Sequence, residues 1–170
     1  MTQPMTLPTS LPWKTALETQ SVAALDMLEN AIRACPERVW DDAATPLPQR
    51  FWYLAYHTLF WLDCDLSQRE QAFAPPAPFT LGELDPAGVY PERTYTKSEL
   101  LGYLAHDRDK LRLALHSLDE VRAAARCVIT AREMSVFELH LRGMRHVQHH
   151  TAQLNLILRR QTDSAPRWVG

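Results

Sequence analysis

The stretch RGMRHVQHHTAQLN, residues 142–155, places polar side chains where a helix would face a protein core. Steps of alternately three and four residues through this stretch trace one helical face. The residues on that face are Val136, Leu139, Gly143, His146, His150, Gln153 and Ile157. The middle of the face is polar, and burial costs about 1–3 kcal/mol for each polar group left without a partner. The pattern therefore predicts a helix with a polar site in its buried face.

Two histidines in the middle of this face could share a divalent metal ion. His146 and His150, at positions i and i+4, lie one above the other on a helix and can direct both imidazoles at one ion. Two histidines make a weak site, so we expect a third ligand from another helix. His57 is the candidate, because an apolar wall surrounds it at helical spacing: Tyr53, Leu54, Phe60, Trp61 and Cys64. The alternatives are an ordinary hydrogen-bonded core histidine for His57 and chance spacing for the pair.

Three further positions could assist such a site. Gln153 could hydrogen-bond a water or a ligand, or be a satisfied buried amide. Asp107 lies on the core face of a predicted helix and could accept a hydrogen bond from a metal-bound imidazole; a surface or salt-bridged aspartate is the alternative. Gly143 either leaves room for a substrate or allows a close contact between helices.

The other histidines are expected outside the ligand set. His149 competes with His150 through i, i+3 spacing, but it shares a face with Arg142 and Arg145, so we place it at the rim. These three side chains could draw an anionic cosubstrate to the site, unless that face is simply solvated. No metal-ligand spacing links the remaining histidines, which we expect to be surface or packing residues: His106, His116 and His140.

Apolar residues recur at three- and four-residue intervals along the chain and predict four long helices. We expect them from about Trp13 to Cys35, from about Gln49 to Ala72, from Thr96 to near Leu118 and over roughly 131–161. Pro36 ends the first helix, whose core face carries Leu17, Ala24, Leu28, Ala31 and Cys35. Thr96 with Glu99 forms a capping box at the third helix. The start of the fourth helix is open between two such boxes, Thr130 with Glu133 and Ser135 with Glu138.

The connection between the second and third helices, residues 73–96, is unusually long and holds five of the 12 prolines. Antiparallel neighbours in a bundle need only about 2–8 residues. A chain of this length can cross back along a helix of about 33 Å. We therefore predict an all-α fold, a four-helix bundle of up-down-down-up topology with a long crossover between helices 2 and 3. Residues 1–170 form one domain in this prediction, with 1–12 and 163–170 as flexible tails.

Composition excludes several classes of protein. Eighteen basic and 20 acidic side chains give a net charge of −2, without the basic excess that nucleic-acid binding needs. Cys35, Cys64 and Cys127 are too few and too widely spaced for a disulfide framework or a CxxC metal site. The most apolar stretch, residues 51–62, is far shorter than the roughly 20 residues of a membrane helix. Because residues 1–12 also lack the features of a signal peptide, we expect a cytoplasmic protein with no nucleic-acid or membrane partner.

The stretch 142–155 resembles the H-x-x-H-H-x-x-Q signature of the DinB/YfiT-like superfamily of four-helix bundles. In that family, a histidine of helix two and the first and last histidines of the signature hold a divalent metal. The resemblance implies His57, His146 and His150 as ligands of zinc or nickel, with manganese or iron as further candidates. Family members include S-transferases that use low-molecular-weight thiols and a thiol-dependent maleylpyruvate isomerase.

These observations predict a divalent-metal-dependent enzyme, a thiol S-transferase-like transferase or a hydrolase. A metal-activated thiol or water would react with a small-molecule substrate, and no side chain is assigned as the catalytic residue. Gln153, Asp107 and His149 are the possible assistants. The alternatives are a non-catalytic metal-binding stress-response bundle and a small-molecule binding protein. We also expect a homodimer through the aromatic face of helix two, formed by Phe51, Trp52 and Trp61.

Overall fold

A computed structural model describes residues 12–69, 71 and 73–170 of the chain. Within these ranges the fold is mostly helical, as predicted, with one short antiparallel hairpin. The helices are α1 Pro12–Ala34, α2 Glu37–Trp40, α3 Phe51–Ser67, α4 Lys97–His116, α5 Glu120–Ala124 and α6 Val136–Thr162. The strands are β1 Arg126–Ile129 and β2 Arg132–Ser135. Short 3-10 helices span Leu47–Gln49 and Leu81–Leu84.

The core lies between the four long helices. Helix α1 packs against α4 and α6, and helix α3 packs against the same two. The predicted core face of α1 is confirmed, since all five of its residues are buried: Leu17, Ala24, Leu28, Ala31 and Cys35. The helix ends at Ala34, two residues before Pro36, because proline cannot continue the backbone hydrogen-bond ladder.

Helix α3 is shorter than predicted. It begins at Phe51 and ends at Ser67, so the predicted end at Ala72 is wrong; Ala72 itself lies outside the described residues. Gln68 adopts a left-handed conformation with φ of 57°, and its N–H donates to the carbonyl of Asp65. The Ser67 hydroxyl donates to the carbonyl of Asp63 in the same turn. These bonds satisfy carbonyl groups at the end of the helix and terminate it.

The start of α6 is decided by a hairpin. The Ser135–Glu138 capping box is present, and the Thr130–Glu133 alternative is wrong. Residues 126–135 form β1 and β2, whose two-residue turn holds Thr130 and Ala131 at φ of 51° and 58°. The capping box at Thr96 is confirmed, although α4 ends at His116 rather than near Leu118.

The connection 73–96 covers the aromatic face of α3. Phe79 stacks on Tyr56 with ring centroids 5.8 Å apart, and Tyr95 contacts the same ring at 4.9 Å. The indole N–H of Trp40 donates to the carbonyl of Tyr95 at 2.9 Å. The length of the connection is thus used to pack aromatic side chains along α3.

This cover buries part of the predicted dimer surface. Phe51 and Trp52 are each 1% exposed, and Trp61 is half-buried. Trp52 packs against Tyr95 of the connection at 5.8 Å. Phe51 and Trp52 are therefore buried within the chain, Trp61 keeps a partly exposed surface, and the homodimer stays a prediction.

Of the two predicted tails, the C-terminal one lies within the described residues. Residues 1–11 lie outside the described part of the chain. Residues 163–170 form no helix or strand, and Ala165 packs against the core. Among the described helices, we find none with the length and apolar character needed to cross a membrane.

Candidate metal centre

Three imidazoles from two helices converge on one point. His57 lies in the second turn of α3, and His146 and His150 lie one turn apart on α6. The ring centroid of His57 is 5.4 Å from that of His146 and 4.9 Å from that of His150, and the latter two rings are 4.5 Å apart. Each ring offers one nitrogen, and the three nitrogens lie within 4.8 Å of one another. The structure thus brings together the three side chains that the sequence analysis selected.

Close packing of α6 on α3 supports this convergence at Gly143. A Cβ atom at this position would lie 3.3 Å from Cδ1 of Leu62 and 3.6 Å from a carboxylate oxygen of Asp65. Gly143 is buried one turn before His146 on the same helix. Of the two roles considered for this glycine, the contacts favour the close approach of the helices.

A carboxylate orients His57. Nδ1–H of His57 donates to Oε2 of Glu83 at 2.7 Å, and the same oxygen accepts from the indole N–H of Trp61 at 3.0 Å. The other oxygen of Glu83 accepts from the Tyr53 hydroxyl. Burial opposes ionisation of Glu83, but the hydrogen bonds from His57, Tyr53 and Trp61 outweigh it and hold its pKa below the ordinary value. An ionised carboxylate only accepts, so Nδ1 of His57 carries the proton of this bond, and Nε2 is the ring nitrogen left to face a ligand.

Sequence reasoning missed Glu83. It lies 26 residues after His57 in the short 3-10 helix Leu81–Leu84 of the connection. Gly82 allows this turn, because a Cβ there would lie 2.9 Å from the carbonyl oxygen of Val89. The excess length of the connection was the only signal in the sequence, and it did not single out a residue.

An amide orients His150 in the same way. Nδ1–H of His150 donates to Oε1 of Gln153 at 2.7 Å, one turn further along α6. This bond leaves the Nε2 lone pair of His150 available. Gln153 is thus a half-buried amide that contacts an imidazole of the cluster, and its part in binding a water or ligand stays a prediction.

The two α6 histidines of the cluster are neutral at ordinary pH. Burial, reinforced by the neighbouring imidazoles of His150 and His57, lowers the pKa of His146 to about 3. Burial also lowers the pKa of His150. Nδ1 of His146 is buried without a hydrogen-bond partner in the described residues. Converging neutral imidazoles with available lone pairs are the donor set that zinc and nickel take, so these residues fit a divalent ion.

The other predicted assistants lie elsewhere. Asp107 is fully buried on α4, and its carboxylate accepts no hydrogen bond from an imidazole or any other described residue, so both its predicted role and its surface alternative are wrong. Glu83, and not Asp107, is the carboxylate that accepts a hydrogen bond from an imidazole of the cluster. His149 is exposed, with its ring 4.9 Å from that of His150, and lies outside the cluster as predicted.

The basic side chains beside the cluster differ in their availability. Arg142 pairs with the buried carboxylate of Asp65, so it is neither simply solvated nor free to attract an anion. Arg145 is exposed. His140 is buried, and burial lowers its pKa to about 4. His106 is exposed on α4, as expected of a surface residue, and its Nε2 lies 3.6 Å from a carboxylate oxygen of Asp63.

A cavity of about 510 Å³ opens beside His150. His150 and Gln153 form one part of its wall, and Phe51, Leu54 and Ile157 form an apolar part. Arg160, which has no acidic partner among the described residues, lies at its margin. A small molecule in this cavity would contact His150 of the cluster, and the wall also carries charged side chains of both signs, Asp42, Arg50 and Arg160.

Comparison with known proteins gives one family match. The model of a family described as the DinB superfamily matches residues 20–154. The matched range contains His57, Glu83, His146, His150 and Gln153. No curated protein and no solved structure gives a significant match.

Proposed function

The chain belongs to the DinB superfamily, and from this membership and the imidazole cluster we propose that it is a metal-dependent enzyme whose divalent ion is held by His57, His146 and His150. The convergence of three imidazoles, two of them oriented through Nδ1, carries the proposal. Zinc or nickel is the expected ion, with manganese or iron as further candidates.

In the proposed site, the ion and the side chains would contribute different parts of the chemistry. When bound, the ion would supply Lewis acidity, which favours the anionic form of a thiol or water near neutral pH. Glu83 keeps the proton of His57 on Nδ1, and Gln153 does the same for His150. The imidazole rings are thereby held with their Nε2 lone pairs available, without a reorientation when a ligand arrives.

We propose group transfer from or to a low-molecular-weight thiol as the reaction. The cavity beside His150 would take the second substrate, with its apolar part against Phe51, Leu54 and Ile157. An anionic group on either substrate would be placed near Arg160. In an S-transfer, the thiolate sulfur forms a bond to an electrophilic carbon while that carbon loses its leaving group with the bonding electron pair.

The metal-loaded chain should catalyse such a transfer. We expect consumption of glutathione, bacillithiol or mycothiol with chlorodinitrobenzene, measured from the arylated product as chloride leaves. The turnover should disappear on chelation and in the double variant His146→Ala/His150→Ala. A metal-loaded protein without metal-dependent turnover for any of these pairs would contradict catalysis of this kind and favour a non-catalytic metal binder.

The substitution Glu83→Gln should weaken zinc binding at the imidazole cluster by about 10- to 100-fold. It replaces an ionised acceptor of His57 with a neutral amide and leaves the size of the side chain unchanged. The imidazole NMR signals of His57, His146 and His150 during zinc titration measure this site alone. The exposed Glu92, on the same connection, provides the matched control Glu92→Gln. Equal affinities for both variants would show that Glu83 does not support the site.

We also infer that the four long helices form an up-down-down-up bundle. Trp13 and Phe137, at the starts of α1 and α6, have ring centroids 5.3 Å apart, which supports a parallel pair. Lys14 near the start of α1 donates to the carbonyl of His116 at the end of α4, at 2.9 Å, which supports an antiparallel pair. Such an arrangement would need the long crossover between α3 and α4.

A further inference from the structure

A second group of metal-ligating side chains lies between α3 and α4. Asp63 on α3 and His106 and Asp107 on α4 each offer one donor atom, and these atoms lie within 4.8 Å of one another. Both aspartates are 0% exposed, whereas the side chain of His106 is 42% exposed. The group shares no residue with the imidazole cluster, and His106 is its exposed member.

Both carboxylate oxygens of Asp107 are buried and have no hydrogen-bond partner in the described residues. The nearby donors are already used by other acceptors. The ammonium of Lys110 has three N–H groups, and they donate to a carboxylate oxygen of Asp63, to the carbonyl of Asp63 at 3.1 Å and to the Ser67 hydroxyl at 2.6 Å. The Tyr103 hydroxyl donates to the other carboxylate oxygen of Asp63 at 3.0 Å.

This arrangement leaves an imbalance of charge and of hydrogen bonding. Two buried carboxyl groups lie beside one ammonium, and of the two it contacts only Asp63. Burial and the charge of Asp63 raise the pKa of Asp107 well above its ordinary value. A buried charge without a partner is strongly unfavourable, and native structures pair such groups or coordinate them to a metal. Nε2 of His106 lies 3.6 Å from Asp63, beyond hydrogen-bonding distance, and is therefore available as a third donor.

We propose that Asp63, His106 and Asp107 bind a second divalent cation, separate from the imidazole cluster. Two carboxylate oxygens and one imidazole nitrogen form a mixed donor set that suits zinc or manganese better than calcium or magnesium. The two carboxylates neutralise the charge of the ion. His106 is the one proposed ligand that borders solvent.

Lys110 competes with the cation for Asp63. Its side chain is 27% exposed, so the ammonium can turn outward into water when an ion arrives. Replacement of Lys110 by methionine removes the competing charge and keeps the aliphatic stem. The proposal therefore predicts tighter cation binding in Lys110→Met, an effect that a purely structural ion pair would not produce.

The test uses the full-length double variant His146→Ala/His150→Ala, which lacks two ligands of the imidazole cluster. Zinc binding by this variant therefore tests the second site independently of the proposed function. Equilibrium dialysis against zinc, followed by metal analysis, should find about one ion per chain, the expected capacity of a single three-ligand site. Adding Asp107→Asn should abolish this binding, His106→Gln should weaken it by at least about tenfold, and Lys110→Met should strengthen it. Asp109→Asn, at an exposed position of the same helix, is the matched control and should have no effect.

A second measurement tests the proposal even if the double variant does not fold. In the otherwise unchanged chain, Asp107→Asn should lower the zinc capacity by one ion, with the helical circular dichroism retained. No stoichiometric zinc binding in the double variant, or binding that survives Asp107→Asn, would overturn the proposal. An unchanged capacity of Asp107→Asn in the full chain would overturn it as well, since Asp107 would then be a neutral buried acid.

Discussion

The double variant His146→Ala/His150→Ala is expected to lose one divalent ion per chain relative to the wild type, with affinity at the imidazole cluster reduced by more than about 100-fold. Two of three donors are removed, and His57 alone cannot hold an ion against water. Loss of a ligand should exceed the effect of disturbing a hydrogen-bond partner such as Glu83. Metal analysis after purification without added metal, followed by competition with a chelator, measures both quantities.

His149→Ala is the matched control for this experiment. His149 is adjacent to His150 in the chain, but its side chain is exposed and outside the cluster. We expect its metal content to equal that of the wild type. Helical circular dichroism should be retained in both variants, because His146 and His150 are only half-buried and His149 is exposed. Equally low metal content in the wild type and the double variant would show that the imidazoles converge for another reason.

The imidazole cluster could be predicted from the sequence because two of its residues lie close together in the chain. His146 and His150 must share a helical face if the segment is helical, and periodicity alone settles that. His57 required one further step, the assumption that a histidine in an apolar helix faces the core. Because α3 packs against α6, the histidine of α3 and the two histidines of α6 meet in one site.

The partners of the cluster were harder to predict because they depend on chain segments without periodicity. Glu83 reaches His57 through an irregular connection, and no spacing rule relates the two. Asp107 was correctly placed on the core face of a helix, yet it faces Asp63 rather than the imidazoles. Periodicity identifies the face of a helix that is buried, but the neighbouring helix decides which group it meets.

The hairpin was missed for a related reason. Its two-residue turn is Thr130–Ala131, although turns with positive φ at both positions usually contain glycine or asparagine. The Thr130–Glu133 pair also matches the capping pattern as well as Ser135–Glu138 does. The pairing of β1 with β2 decides between them, and this pairing is not visible in the local sequence.

A second large effect is expected from Arg142→Met, which should destabilise the fold by about 3 kcal/mol near pH 9 but by less than about 1 kcal/mol near pH 5.5. A guanidinium nitrogen of Arg142 on α6 pairs with the carboxylate of Asp65 on α3, whose side chain is 4% exposed. Burial raises the pKa of Asp65 to about 7, although the charge and hydrogen bond of Arg142 act in the opposite direction. Chemical denaturation of both proteins at the two pH values measures the difference.

The direction of this pH dependence follows from the protonation of Asp65 in the folded and unfolded states. An unfolded aspartate titrates near 3.8, so between that pH and about 7 the native state binds the extra proton and this group's contribution to the unfolding free energy falls as pH rises. Arg142 stabilises only the ionised carboxylate. Its removal therefore costs little while Asp65 is protonated, and the cost appears as the pH rises above about 7.

The double variant Asp65→Asn/Arg142→Met separates charge from packing. Without a carboxylate there is no charge to compensate, so the difference in stability between the two pH values that Arg142→Met produces should disappear. A loss in Arg142→Met that is equal at both pH values would instead indicate that Arg142 stabilises the fold by packing its aliphatic stem.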